Sequence, residues 1–282
     1  MYSGEVQPYL DKYYASIGNS KIKELIEYAT DGGKCIRGFI VKHILETLTG
    51  KQGDEIPWQP IVSVELVHST SIVIDDLPCM DNDTYRRGKL STFKQFGNNE
   101  AILSSYYMVS ETLRILIDGM DDDGITSLKT LKHFIKEWCD LLGKQLVVGQ
   151  FLDLKCDAEA YFNIKFSSNN TVNDSIIRYK TCSLFSFSFL LGAIFSGKSD
   201  PEVLKDFKDM GYHFGVMFQI MDDYRDKDTD VPYANYVLSN GLPKAVETYK
   251  ESRGTLCLLL QKYQLYTDKF VALIVNIDKM FV

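Results

Sequence analysis

The chain has 282 residues, with 31 Lys and Arg against 38 Asp and Glu, a formal net charge of −7 and a composition that is 45% hydrophobic and 12% aromatic. That is ample apolar material for a core, and the charge density is too low for disorder. The acidic balance excludes a generally basic nucleic-acid surface and wholesale adsorption to anionic lipid, so a polyanion can be held only in a local basic pocket or through bridging cations.

The N-terminus, MYSGEVQPYLDKYY, lacks the basic-then-apolar order of a signal peptide and the arginine content of a transit peptide. The first candidate for chemistry is DGGKCIRG, residues 31–38. Gly32 and Gly33 permit close backbone approach, and Lys34 with Arg37 is a pairing suited to phosphate. Apolar residues at three- and four-residue spacing then predict a helix from Ile61 to Asp76, ended by Pro78. His68 shares a helix face with Asp75 and Asp76; a lone histidine is more often a satisfied core residue than a ligand. Asp75, Asp76, Asp81 and Asp83 fall within nine residues. Hard oxygen ligands so gathered suit Mg²⁺, and a solvated acidic loop is the alternative. Arg86 and Arg87 follow as a second basic pair.

Helices are predicted over Ala101–Ile117, Ile125–Leu154, Ser175–Phe195 and Pro201–Arg225, with breaks at Gly50–Pro60, Asp118–Gly124, Asn163–Asn173, Gly197–Pro201 and Asp226–Pro232. Asp121–Asp123 reads as a solvated acidic loop. The apolar run Leu184–Phe195 carries two serines and is shorter than the roughly 18–20 residues that span a bilayer, so it reads as a buried helix. Just before it, Lys180–Thr181 interrupts apolar sequence, and a buried lysine needs an anion. In FGVMFQIMDDYRD, Gln219, Asp222, Asp223 and Asp226 are offset by 0, 3, 4 and 7, which places them on one stripe. Carboxylates that continue so apolar a helix need neutralising, which favours metal binding over a surface stripe. The six cysteines, at 35, 79, 139, 156, 182 and 257, form no CxxC and no zinc spacing, so reduced, mostly buried thiols in a cytoplasmic protein are expected. Strand-like alternation is hard to find, and no repeat or long linker divides the chain. The expectation is an all-α, single-domain bundle of about ten helices spanning residues 1–282.

Taken together, GGKCIRG, LVHSTSIVIDDLPCMDND, RRGK, FKQFG, GQFLDL (149–154), YKTCSLF and GVMFQIMDDYRD resemble, in order and spacing, the trans-isoprenyl diphosphate synthases, the family of farnesyl and geranylgeranyl diphosphate synthases. The four residues between Asp76 and Asp81 are similar to the geranylgeranyl type of plants and bacteria. The resemblance implies an isoprenoid synthase-like helical bundle around a central cavity. It implies a Mg²⁺-dependent prenyltransferase of isoprenoid biosynthesis, a homodimer without a transmembrane segment or nucleic-acid partner. Its substrates would be isopentenyl diphosphate and an allylic diphosphate (dimethylallyl, geranyl or farnesyl). Three Mg²⁺ ions would be held by Asp75, Asp76, Asp81, Asp222, Asp223 and Asp226, with Arg86, Lys180, Thr181 and Gln219 around the allylic group. Lys34, Arg37, His68 and Arg87 would take isopentenyl diphosphate. Thr70 and Ser71, five and four residues before Asp75, would floor the product tunnel. Both are small, which favours geranylgeranyl diphosphate; farnesyl diphosphate is the alternative, with Tyr106 or Tyr107 closing the tunnel.

The chain departs from the family at several points. Gly38 stands where a proline is usual, Cys35 where arginine is common, Ile74 where a histidine often precedes the aspartates, and Ser105–Tyr106 where a small Gly–Asp pair is usual. The segment after Asp226 is about a dozen residues short and lacks its glycine–lysine pairs, with Lys227 as one substitute, a compactness that resembles viral members. Three other readings remain: a class I terpene cyclase, a non-catalytic partner subunit, and an acidic helical metal-binding protein. The Lys34/Arg37 site speaks against the first, and two intact aspartate clusters without a CxxxC pair speak against the second.

Overall fold

The computed structural model describes residues 2–122, 128–154, 161–162, 172–230, 232–233 and 235–281. The expected break over Asn163–Asn173, Asp123 and Cys156 fall wholly or largely outside them. The architecture is all-α, as the periodicity predicts. The chain packs as two compact units, Met1–Thr126 with Phe195–Gly197, and Ser127–Ile194 with Lys198–Val282.

In the first unit, α1 (Ser3–Ser16), α2 (Ser20–Thr30) and α3 (Ile36–Thr49) pack with α4 (Gln59–Asp75). Asn19 starts α2 by accepting the Lys21 and Ile22 N–H groups, which would otherwise lack partners at a helix start. Helix α4 is apolar on almost every side and buried over most of its length, which makes it the spine of this unit. It stops at Asp75 because Pro78 cannot continue it, and the chain folds back so that Asp81 N–H donates to the Asp75 carbonyl at 2.9 Å. A short hairpin that the alternation did not reveal follows, β1 (Tyr85–Arg86) paired with β2 (Lys89–Leu90). Its turn places Arg87 at φ 53° and Gly88 at φ 79°, the two left-handed residues that a tight hairpin turn requires. Helix α5 (Thr92–Phe96) leads into α6 (Asn98–Asp122), which lies along α4. Helix α6 continues through the expected break at Asp118, so Asp121 and Asp122 belong to its last turn and not to a loop.

The second unit begins with α7 (Leu128–Trp138), a π-helical stretch at Cys139–Gln145, and α8 (Leu146–Asp153). Helix α9 (Val172–Ile176) passes through a second π-helical stretch, Ile177–Cys182, into α10 (Ser183–Phe195). Phe185, Phe187 and Phe189 of α10 are fully buried, and rings from α7 and α11 (Pro201–Arg225) pack around them. Asp200 caps α11 through the Glu202 and Val203 N–H groups, with Pro201 at the first helical position. Gly211 and Gly215 let α11 reach the backbone of Ser186 and Cys182, since a Cβ at Gly215 would lie 2.8 Å from Cys182 Cα. Helices α12 (Tyr236–Asn240), α13 (Leu242–Lys262) and α14 (Asp268–Phe281) complete the unit. No described helix is long and apolar enough to cross a membrane. Cys35 and Cys182 are buried thiols, whereas Cys79 and Cys139 are exposed, so the expectation of mostly buried cysteines holds only in part.

Candidate active site

The first aspartate cluster splits into two environments. Asp75 is half-buried at the end of α4, and the return of the chain brings exposed Asp81 beside it. Asp76, one residue on, is 1% exposed. Its Oδ1 accepts Arg86 Nε at 2.8 Å and Nη2 at 2.5 Å, and the same Nη2 reaches Asp83 Oδ2 at 2.6 Å. Burial pushes the Asp76 carboxyl upward against the pull of Arg86. Arg86 therefore braces the acidic loop as well as lying near it.

The basic residues gather around the start of α3. Arg87 Nη1 donates to the Thr30 and Asp31 carbonyls at 3.0 and 3.1 Å, and Lys89 Nζ donates to the Tyr28 carbonyl at 2.8 Å. Both cations thus complement the carbonyl end of α2. Gly33 has a specific reason to lack a side chain, because its Cβ would lie 3.3 Å from the Arg87 guanidinium. Lys34 is exposed, while Arg37, Arg87 and His68 are half-buried. Burial and the like charge of Arg87 lower Arg37 to about 10, against the favourable charge of Glu65. Burial first, then Arg37, Arg87 and Arg86, hold His68 well below its usual range, so its imidazole is neutral. Glu65 escaped the sequence reading, although a carboxylate inside IVSVELV was a visible signal.

The second unit holds the other cluster. Lys180 finds its anion in Asp153, with Nζ 2.5 Å from Oδ2; Asp153 belongs to GQFLDL but had no role in the sequence reading. Gly149 of the same motif packs directly on the Tyr179–Lys180 backbone, which fixes where the lysine starts. Thr181 donates to Gln219 Oε1 at 2.6 Å, and Gln219 Nε2 donates to Asp223 Oδ1 at 2.7 Å. Asp223 Oδ2 accepts the Tyr236 N–H at 2.8 Å, so this buried carboxylate also caps the start of α12. Burial, the largest influence, pushes Asp223 up to about 6. Asp222 is half-exposed on the same helix, and Asp226, also half-exposed, is the residue that ends it. Lys227, the candidate substitute in the shortened segment, lies over the Tyr224 ring at 4.2 Å.

Among the described residues no three His, Cys, Asp or Glu side chains converge to hold a metal by themselves. Pairs of oxygen donors, Asp75 with Asp81 and Asp222 with Asp226, nevertheless fit Mg²⁺, which takes one or two carboxylates and fills its shell with phosphate and water. On α4, the Thr70 hydroxyl turns back to the Leu66 carbonyl at 2.9 Å and the Ser71 hydroxyl to that of His68 at 2.8 Å. On α6, Ser104 and Ser105 are buried, whereas Tyr106 is 71% and Tyr107 37% exposed.

The chloroplastic heterodimeric geranylgeranyl pyrophosphate synthase large subunit 1 of Arabidopsis thaliana is 29% identical over 208 residues, covering 73% of this chain and 54% of its own. The farnesyl diphosphate synthase of Bacillus subtilis is 31% identical over 207 residues, covering 72% and 65%. The chain therefore spans little more than half the length of the plant relatives it matches. In fold it is similar to the geranyltranstransferase of Thermotoga maritima, with a TM-score of 0.79 at 24% identity over 100% of this chain and 97% of the other. The polyprenyl synthetase family model matches residues 19–233, the stretch that holds both aspartate clusters, the basic loop, the Lys180–Asp153 pair and the Thr181–Gln219–Asp223 bonds, and the chain belongs to that family.

Proposed function

We propose that residues 1–282 act as one catalytic domain, a trans-prenyltransferase that joins isopentenyl diphosphate to an allylic diphosphate. The observation that carries the reading is the concentration of cations at the start of α3. Two half-buried arginines, Arg37 and Arg87, repel one another there in a protein of net charge −7, an arrangement that suits an anionic substrate. Arg37, Arg87 and the exposed Lys34 bind the diphosphate of isopentenyl diphosphate, and neutral His68 adds a ring N–H. Asp75, Asp81, Asp222 and Asp226 serve the allylic diphosphate through Mg²⁺. When bound, the metal supplies Lewis-acid stabilisation of charge on the leaving pyrophosphate.

Lys180, oriented by Asp153, and Arg86, oriented by Asp76, add cationic donors to the leaving group as the allylic C–O bond ionises. Thr181 directs its proton to Gln219, which leaves its oxygen lone pairs toward developing positive charge. The isopentenyl double bond attacks the allylic cation, and the proton then lost goes to pyrophosphate. Asp76 and Asp223, expected as metal ligands, act here by holding Arg86 and the start of α12.

The proposed product is geranylgeranyl diphosphate, supported by the small, inward-bonded Thr70 and Ser71 and by the exposure of Tyr106 and Tyr107. A homodimer is part of the reading, supported by the apolar side of α6 that Leu103, Tyr106 and Val109 leave uncovered in one chain. So is a reducing, cytoplasmic setting, on the spacing of the cysteines. The test is incubation with Mg²⁺, labelled isopentenyl diphosphate and each of dimethylallyl, geranyl and farnesyl diphosphate. A four-unit product is expected. Failure to incorporate label with any primer overturns the prenyltransferase reading, and a hydrocarbon formed without isopentenyl diphosphate points to a cyclase.

A further inference from the structure

Glu65 has no part in the chemistry above, yet it is a carboxylate only 4% exposed, in the middle of α4 between Val64 and Leu66. Burial raises its pKa, against the pull of the partners that the site supplies. One is a backbone donor. Gly38 N–H donates to Glu65 Oε1 at 2.7 Å. Gly38 is the third residue of α3, so this N–H belongs to the first turn, where four backbone donors lack helical partners. Local capping is missing there, because Cys35 precedes the helix at φ 52° and makes no side-chain cap. The cap comes instead from Glu65, 27 residues away. Arg37 occupies the same turn, and the charge of Glu65 is favourable to both Arg37 and Arg87.

We propose that Glu65 is a positioning residue for the isopentenyl diphosphate half of the site. By capping the first turn of α3 at Gly38 it fixes Arg37 where, with Arg87, it takes a diphosphate. The inference rests on the function proposed above. It is specific to a chain with glycine at 38, since the proline usual there in the family has no N–H to give. The missing side chain also makes the room, because a Cβ at Gly38 would lie 3.1 Å from Glu65 Oε1, 3.2 Å from its Cγ and 3.0 Å from Val6 Cγ1.

The test compares Glu65→Met, which keeps bulk but removes the acceptor, with Glu65→Gln, which keeps an acceptor oxygen. Steady-state kinetics are read for each substrate separately, and isopentenyl diphosphate binding is measured by calorimetry without an allylic primer. Glu65→Met should weaken isopentenyl diphosphate by about tenfold in KM and in Kd, because misplacing a charge-assisted donor costs affinity. The allylic KM should stay within about threefold, and Glu65→Gln should recover most of the loss. If Glu65→Met does not fold, Glu65→Leu likewise removes the acceptor without adding bulk and should give the same selective shift. Unchanged isopentenyl diphosphate binding in the variant, or equal weakening of both substrates, overturns the positioning role alone. A wild-type protein that binds no isopentenyl diphosphate overturns this role and the proposed function together.

Discussion

Asp222→Ala and Asp223→Ala delete the same group from adjacent positions, and the two variants should fail in different ways. Asp223 is 3% exposed and accepts N–H bonds from Gln219 at 2.7 Å and Tyr236 at 2.8 Å. Alanine leaves both donors without this partner in a buried place, at about 1–3 kcal/mol each. Set against that is the burial of the carboxylate itself, which pushes its pKa up to about 6 and which alanine relieves. The balance is a loss of about 2–4 kcal/mol, or a fall in Tm of about 5–15 °C for a chain of this size. The Asp222 side chain is 40% exposed and lies 3.8 Å from Arg225, a contact worth about 1 kcal/mol or less. Its loss should leave stability nearly intact while lowering turnover by about 100-fold in Mg²⁺. Urea unfolding followed by circular dichroism, with labelled isopentenyl diphosphate turnover on the same preparations, separates the two effects. An Asp223→Ala protein that unfolds at the wild-type midpoint would refute the capping account. Wild-type turnover in Asp222→Ala would refute its assignment to the metal site.

Thr70→Tyr adds a ring at a site that is 8% exposed, and overpacking of about 1–3 kcal/mol should shorten the products while total use of isopentenyl diphosphate is retained; an unchanged product distribution removes Thr70 from the tunnel. His68 is held below its usual 6.5 by burial and three arginines, so the unfolded chain binds its proton more readily. Stability should therefore fall as pH drops below about 6.5, and His68→Gln should flatten that slope in urea titrations between about pH 6.5 and 5. Gly211→Ala places a methyl group against the Ser186 backbone, with Phe185 O at 2.6 Å, and should lower stability by about 1–3 kcal/mol in the same assay.

The chain order of the helices was legible because their signals are local. Apolar spacing marks α4 and α11, Pro78 ends the first, and Asp200–Pro201 starts the second. The clusters Asp75–Asp83 and Gln219–Asp226, and the cations at 34, 37, 86, 87 and 180, were likewise visible as residue types at fixed offsets. The π-helical stretches and the Arg87–Gly88 hairpin left no comparable mark, since an arginine in the left-handed region depends on the three carbonyls that hold its side chain.

What sequence could not divide were the adjacent aspartates. Successive residues on a helix point about 100° apart, so one member of each pair turns inward, and its role depends on what it meets there. Asp76 meets Arg86, ten residues on, and Asp223 meets the Tyr236 N–H, thirteen residues on. Lys180 finds Asp153 and Glu65 finds Gly38, each 27 residues away in the chain. A carboxylate's sequence neighbours fix which helix carries it. Whether it holds a metal, braces an arginine or caps a helix is decided by groups that only tertiary packing brings within hydrogen-bond reach, because these bonds act over about 3 Å whatever the separation along the chain.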